Sequence, residues 1–182
     1  PAGEMDWLIY DDEEQWADLF RMLESIDLIV VGGGMYPAYV NHWRSMLSSP
    51  SAPPNEVRYS RLAENIKHIV FSKTLDRVDS MAPEDYNGGW KRNTTIVKAD
   101  VKDEMLKLKQ EPGKNILLFG GASLAKSFID LGLIDEYRFI VNQVILSKGK
   151  RFFYNINEPH RLKLINGKVY GSGAAMLHYR AI

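Results

Sequence analysis

Read for spacing alone, the chain alternates short apolar runs with helical stripes. Trp16, Leu19, Phe20 and Leu23 recur at i, i+3, i+4 and i+7, the period of a helix with one buried face. The acids from Asp11 to Glu14 precede that stripe and complement the positive end of a helix. They read as a solvated helix start rather than a carboxylate site. Leu28-Ile29-Val30-Val31 is an unbroken apolar run, suited to a strand buried on both faces, and Gly32-Gly33-Gly34 follows it. Val40, Trp43 and Leu47 mark a helix that ends in the Pro- and Ser-rich segment 48–55. Leu62 and Ile66 suggest a short helix before a strand over His68 to Phe71. A polar loop holding Tyr86-Asn87-Gly88-Gly89-Trp90 leads to a strand at Thr94 to Val97. Asp100 is placed to cap a helix carrying Val101, Met105 and Leu108.

The run Ile116 to Phe119, after the turn signal Pro112-Gly113, predicts another strand buried on both faces. Gly120-Gly121 then opens a helix whose stripe is Leu124, Phe128 and Leu131, widened by Ala125 and Ile129 and stopped by Gly132. Tyr137 to Leu146, Arg161 to Tyr170 and Ala174 to Tyr179 are β-rich. Asn166-Gly167 is the strongest short hairpin signal, and Gly171-Ser172-Gly173 is an equally available turn; the pattern does not choose between them. Strands alternate with helices to residue 132 and dominate afterwards. That predicts an α/β fold with one mixed, mainly parallel sheet and antiparallel C-terminal strands.

The 182 residues suit a single domain. Lys plus Arg and Asp plus Glu both number 23, for zero net charge, which argues against a nucleic-acid partner. The absence of cysteine removes disulfides, thiolate metal sites and a cysteine nucleophile. It is compatible with a reducing cytoplasm, the expected location. No apolar run approaches the ~20 residues of a membrane span.

The chemistry-bearing motifs are modest one by one. Gly32-Gly33-Gly34 follows a buried strand, but Pro37 stands where a dinucleotide fingerprint needs its third glycine. His42, His68, His160 and His178 show no metal-ligand spacing, so no metal site is expected. Neither Ser123 nor Ser172 lies in a nucleophile elbow. Trp90, in a Gly-rich loop, is either a packing residue or a cover for a flat ligand. Ser72-Lys73-Thr74 follows a strand, at the edge where ligands gather in open α/β sheets. Gly120-Gly121 places bare amides at a helix N-terminus, where an anion is favoured. Three strand ends, at 32–34, 72–74 and 120–123, thus carry residues suited to phosphate or ribose.

At these residues the chain resembles the dihydrofolate-reductase-like proteins, in the branch related to the C-terminal reductase domain of the riboflavin biosynthesis enzyme. The resemblance runs from Gly3-Glu4-Met5-Asp6-Trp7-Leu8 through Phe71 to Leu75, residues 117–153 and Gly171 to Arg180. It implies a three-layer αβα sandwich around a mixed, mainly parallel sheet with antiparallel C-terminal strands. It also implies a homodimer, NADPH as cofactor, and hydride transfer to a C=N or C=O of a pterin, pyrimidine or related small molecule. The family places a further central strand before the Gly3 to Leu8 match. Seven strand candidates are found here, so an eighth is expected upstream of Pro1.

Carried over by position, the resemblance makes Gly120, Gly121, Ala122, Ser123 and Leu124 the pyrophosphate-binding turn. Ser72 and Lys73, with Thr74 beside them, become the adenosine-side phosphate site, and Gly32 ends the second family strand. Asp6, Trp7 and Tyr36 lie toward the expected substrate end, as does Asp12, and no side chain is assigned as proton donor. Where the family commonly has basic residues and a Thr before the Tyr, this chain has Gly33, Gly34 and Met35. That departure removes a cation expected near the cofactor phosphates. It favours a competing reading, a non-catalytic dimeric nucleotide-binding or structural protein that retains the fold.

Overall fold

The computed structural model describes residues 12–76, 88–147, 149 and 151–182. The elements run α1 (Glu13–Glu24), β1 (Ile26–Gly32), α2 (Tyr36–Ser48), α3 (Pro54–Glu64), β2 (Lys67–Phe71), α4 (Gly89–Arg92) and β3 (Thr94–Val97). They continue with α5 (Val101–Leu108), β4 (Asn115–Gly120), α6 (Ala122–Asp130), β5 (Glu136–Val141), β6 (Leu162–Val169) and β7 (Ala175–Ala181). Among the described residues there are seven strands, at the seven places expected. The chain divides into two compact units, one of residues 20–125 and one holding the N-terminal stretch to Leu19 with residues 126–182.

The first unit is built on four parallel strands in the order β3-β2-β1-β4. Parallel strands need crossover connections, and the intervening helices supply them. Ile29, Val30 and Val31 are fully buried, as their apolar run predicts. Ile116 to Phe119 are half-buried instead of buried on both faces. The reason lies in strand order: β4 is an outer strand that pairs with β1 alone among the described residues. Asp100 caps α5 as expected, its Oδ1 accepting from the amides of Lys102 and Asp103 at 2.8 and 3.2 Å. Helix α3 begins at Pro54, so the Pro-rich segment initiates a helix as well as ending one.

Trp90 resolves as a packing residue. It is 1% exposed, edge-on to Tyr39 and tilted against His68. Tyr39 in turn lies 4.7 Å from the Phe119 ring of β4. His68, one of four scattered histidines in sequence, is buried inside this aromatic cluster.

The second unit holds a three-stranded antiparallel sheet in the order β5-β7-β6. The expected parallel and antiparallel portions are therefore both present, but in two sheets rather than one. No described strand pairs with members of both sets. Strand β6 runs straight through Asn166-Gly167 with a bulge just before it, and the reversal comes at Gly171 to Gly173. There Tyr170 and Ala174 close the turn with a 2.9 Å amide-to-carbonyl bond, and Gly173 takes φ +89°, a left-handed value that suits glycine. Asp12 caps α1 through Oδ1, which accepts from Glu14 and Gln15, while its Oδ2 accepts from the Ser172 amide of that turn. These bonds hold its carboxyl below the usual carboxylate range. Among the described residues no helix is long and apolar enough to cross a membrane, and no metal-binding cluster of acids and histidines occurs.

Candidate cofactor site at the strand ends

Strands β2, β1 and β4 are neighbours running in one direction, so their C-terminal ends share one edge of the sheet. Register aligns Gly32 with Phe71 on one side and Val31 with Gly120 on the other. The three strand ends singled out in the sequence are thus adjacent in space. The contact is close. A Cβ built on Gly33 would lie 2.4 Å from both Cβ and Oγ of Ser72, and Gly33 N donates to Phe71 O at 2.9 Å. A Cβ on Gly32 would meet Leu124 Cβ at 3.4 Å and both Gly120 O and Gly121 N at 3.6 Å.

Gly120 takes φ +117°, a conformation other residues rarely adopt, and the Gly120–Gly121 peptide is cis. Gly121 O accepts the Ala125 amide at 2.9 Å, which begins the first turn of α6. Amides at a helix start lack intrahelical acceptors, and the helix dipole adds partial positive charge there. Leu124 and Ala125 are buried and anchor the helix, while Ser123 is exposed at its start and Ala122 half-buried.

The second strand end is organised by Ser72. Its amide donates to Val97 O at 3.1 Å, and its Oγ accepts from Thr74 and Leu75 amides at 3.3 and 3.0 Å. Ser72 therefore shapes the turn that presents Lys73 and Thr74, both exposed. Met35, one of the three positions at which the chain departs from the family pattern, borders the glycine turn. Its Cβ and Sδ both lie 3.8 Å from the point where Gly121 would carry a Cβ. Met35 N donates to Gly32 O at 2.9 Å, closing the turn into α2, and a Cβ at Gly34 would meet no atom of the described residues within 4 Å.

Tyr36 is not brought to this edge. It is 0% exposed, and its hydroxyl donates to Thr94 Oγ1 at 2.9 Å, which itself donates to Trp90 O. The helix period explains the correction: Tyr36, Tyr39 and Val40 form the buried face of α2. Asp6 and Trp7 lie outside the described residues. Asp12 serves as a helix cap.

Beneath the edge lies a polar chain that no sequence motif announces. His68 Nδ1 faces Ile66 O at 2.9 Å and must carry the proton to make that bond. Nε2 is then the acceptor for Tyr39 OH at 3.3 Å, and Tyr39 takes the Tyr59 hydroxyl at 3.4 Å. Burial pushes the His68 imidazole down to about 4 and the Tyr39 phenol well up. Trp90 Nε1 is buried there with no hydrogen-bond partner among the described residues.

The donor set at the strand ends fits a pyrophosphate. Glycine backbone permits close approach, a helix start supplies amides, and Lys73 adds a cation from the adjacent strand end. A cavity of about 400 Å³ lies elsewhere, lined by Ile129, Tyr137, Phe153, Ile156, Glu158, Pro159, His160 and Leu162, and includes none of these residues.

Residues 1–176 match the family described as the RibD C-terminal domain. The uncharacterized protein YyaP of Bacillus subtilis (strain 168) is 32% identical over 177 residues, covering 97% of this chain and 84% of YyaP. Among solved structures, a putative riboflavin biosynthesis protein from Shewanella sp. PV-4 superposes with a TM-score of 0.70 at 20% identity. That match covers 99% of this chain and 89% of the other. A diaminohydroxyphosphoribosylaminopyrimidine deaminase/5-amino-6-(5-phosphoribosylamino)uracil reductase from Thermotoga maritima gives 0.60 at 15% identity, over 99% of this chain and 51% of that one. At such identities the solved structures show the fold, which is the riboflavin-pathway reductase-like one. The family match over nearly the whole length, with a relative at 32% identity, carries the assignment further: the chain belongs to the RibD C-terminal domain family.

Proposed function

We propose that the chain is a reductase that binds NADPH across the strand ends. Its substrate would be a C=N or C=O in a pterin, in a pyrimidine such as a 5-amino-6-(5-phosphoribosylamino)uracil-like compound, or in a related small molecule. The observation that carries this reading is the convergence of Gly32, Ser72-Lys73 and Gly120-Gly121 on one sheet edge beside the start of α6. A bound NADPH supplies the hydride. What the chain contributes is binding and orientation, with little acid–base work by side chains. The amides of Gly121 and the first turn of α6 would hold the pyrophosphate, Gly32 would leave room beside it, and Lys73 would face an adenosine-side phosphate. Ser72 would act by holding the turn that presents Lys73.

The second reading, a nucleotide-binding protein without turnover, is favoured by one observation. The turn from Gly33 to Met35 offers no cation, and Met35 places its thioether sulfur 3.8 Å from the Cβ position of Gly121. Titration of the chain with NADPH, followed by nicotinamide absorbance, separates the two. Saturable binding with oxidation upon adding pterin or pyrimidine substrates supports the reductase. Binding without oxidation by any of them supports the second reading, and no binding removes both.

A further inference from the structure

Asn166-Gly167 has the chemistry of a tight turn, yet the chain reverses at Gly171 to Gly173 instead. The pair sits inside β6, an outer strand that pairs with β7 alone among the described residues. The ladder slips just before it. Leu164 is in register with Tyr179 and Asn166 with His178, so Ile165 is the extra residue of a bulge. Asn166 and Gly167 are both exposed. Here the Gly167 amide donates to Oδ1 of the preceding Asn166 at 2.9 Å. The side chain is folded back along its own backbone, a local bond that Asn makes readily. Its carboxamide carbon is one bond from that oxygen and so lies within ~4 Å of the Gly167 nitrogen. That is near the ~3–3.5 Å from which bound groups react. Glycine adds no side chain to crowd the nitrogen.

We propose that Asn166 is a site of spontaneous covalent modification, deamidation through a cyclic imide. The Gly167 nitrogen bonds to Cγ of Asn166 as its proton passes to hydroxide. The Cγ–Nδ2 bond then breaks, and Nδ2 takes up a proton from water and leaves as ammonia. Water opens the remaining five-membered succinimide at either carbonyl. Attack at Cγ gives aspartate, and attack at the backbone carbonyl carbon gives isoaspartate. No oxidant or reductant takes part.

Either product replaces a neutral amide with a carboxylate in register with His178, which already bridges Glu136 at 2.8 Å. A chain of zero formal net charge becomes an anion. Isoaspartate also lengthens the backbone by a methylene shortly before Lys168. The Lys168 ammonium ties β6 to α1, at 2.9 Å from Glu14 and 2.7 Å from Asp18. Ageing therefore strains that tie. None of these residues belongs to the strand-end edge, so the modification is independent of nucleotide binding.

Ageing the full chain in mildly alkaline buffer, folded and in urea, followed by peptide mapping, tests it. Mapping also separates Asn166 from the other Asn-Gly pair, whose Asn87 lies outside the described residues. In the folded chain Asn166 should give aspartate and isoaspartate ahead of every Asn not followed by glycine. Its rate should stay within ~10-fold of that in urea, because the native geometry already brings the reacting atoms together. Gly167→Ala should slow the loss on the order of 10-fold by crowding the nitrogen. Alanine fits there, since a Cβ would meet Leu177 Cδ2 at 3.6 Å and Met176 O at 3.8 Å, both ordinary contacts. The isoaspartate form should melt below Asn166→Asp, which has the charge without the methylene. If Gly167→Ala fails to fold, the order of conversion in the unaltered chain decides. An Asn166 that keeps its amide in the folded chain while losing it in urea overturns the proposal. A rate that Gly167→Ala leaves unchanged does so too.

Discussion

Gly33 and Ser72 meet across the ends of β1 and β2 so closely that a Cβ on the first would fall 2.4 Å from the Cβ and Oγ of the second. Gly33→Ala should therefore displace Ser72 and the turn its Oγ organises, costing ~1–3 kcal/mol as an overpacked site. Adding Ser72→Gly removes the clashing atoms. The double variant should be more stable than the sum of the single changes implies, a coupling that denaturant unfolding can read. Additive effects would mean that the two residues are not in contact.

If the glycine turn binds pyrophosphate, Gly121→Asp should raise the NADPH dissociation constant by roughly 100-fold or more, by bulk and by like charge. The fold should survive, because a Cβ at Gly121 meets Met35 only at ordinary contact distance, 3.8 Å. Fluorescence titration with circular dichroism as the fold control measures both. Unaltered NADPH binding would leave the glycines as a plain turn.

Two charge changes probe the adenosine side. Lys73→Glu should weaken NADPH more than NADH. Gly34→Lys should do the reverse, favouring NADPH by roughly twofold to fivefold, the size of an exposed ion pair. Among the described residues a Cβ at Gly34 has nothing within 4 Å. Equal effects on the two nucleotides would move the extra phosphate away from this corner.

His68 should make the protein sensitive to mild acid. Burial holds its imidazole at about 4, against about 6.5 in an unfolded chain. Between those values the unfolded state binds the extra proton, so folding stability falls as pH drops from 6.5 to 4. The loss is on the order of 3 kcal/mol, with no further contribution from this group below that window. Thermal unfolding across pH 7 to 4 should show the decline, and His68→Gln should flatten it. An equally steep decline in the variant would assign the effect to other groups.

Much of this edge was legible from the chain because parallel strands gather their C-terminal ends. Once Leu28 to Val31 and Ile116 to Phe119 read as strands, Gly32 and Gly120 had to fall near one another. Side-chain destinations were less legible. The resemblance places Tyr36 toward the substrate end, yet the period of α2 turns it inward. The resemblance makes Ser72 a ligand contact, but its Oγ is engaged by two amides that follow it, a local bond no composition rule distinguishes from a free hydroxyl. Half-burial of Ile116 to Phe119 depends on strand order, a tertiary property. Asn166-Gly167 has the chemistry of a tight turn, but the pairing of β6 with β7 through that point overrides it. Gly173, with its left-handed backbone, makes the reversal instead.

Trp90 gives the first unit a built-in optical probe. An indole buried in an aromatic cluster, its N–H with no acceptor among the described residues, is expected to emit further to the blue than the half-exposed Trp43 of the same unit. Tyr39 lies between Trp90 and Phe119, and Phe119 is the residue before Gly120. A shift of the glycine turn that tilts Phe119 would therefore alter the electric field at Trp90 and change its emission without any added dye.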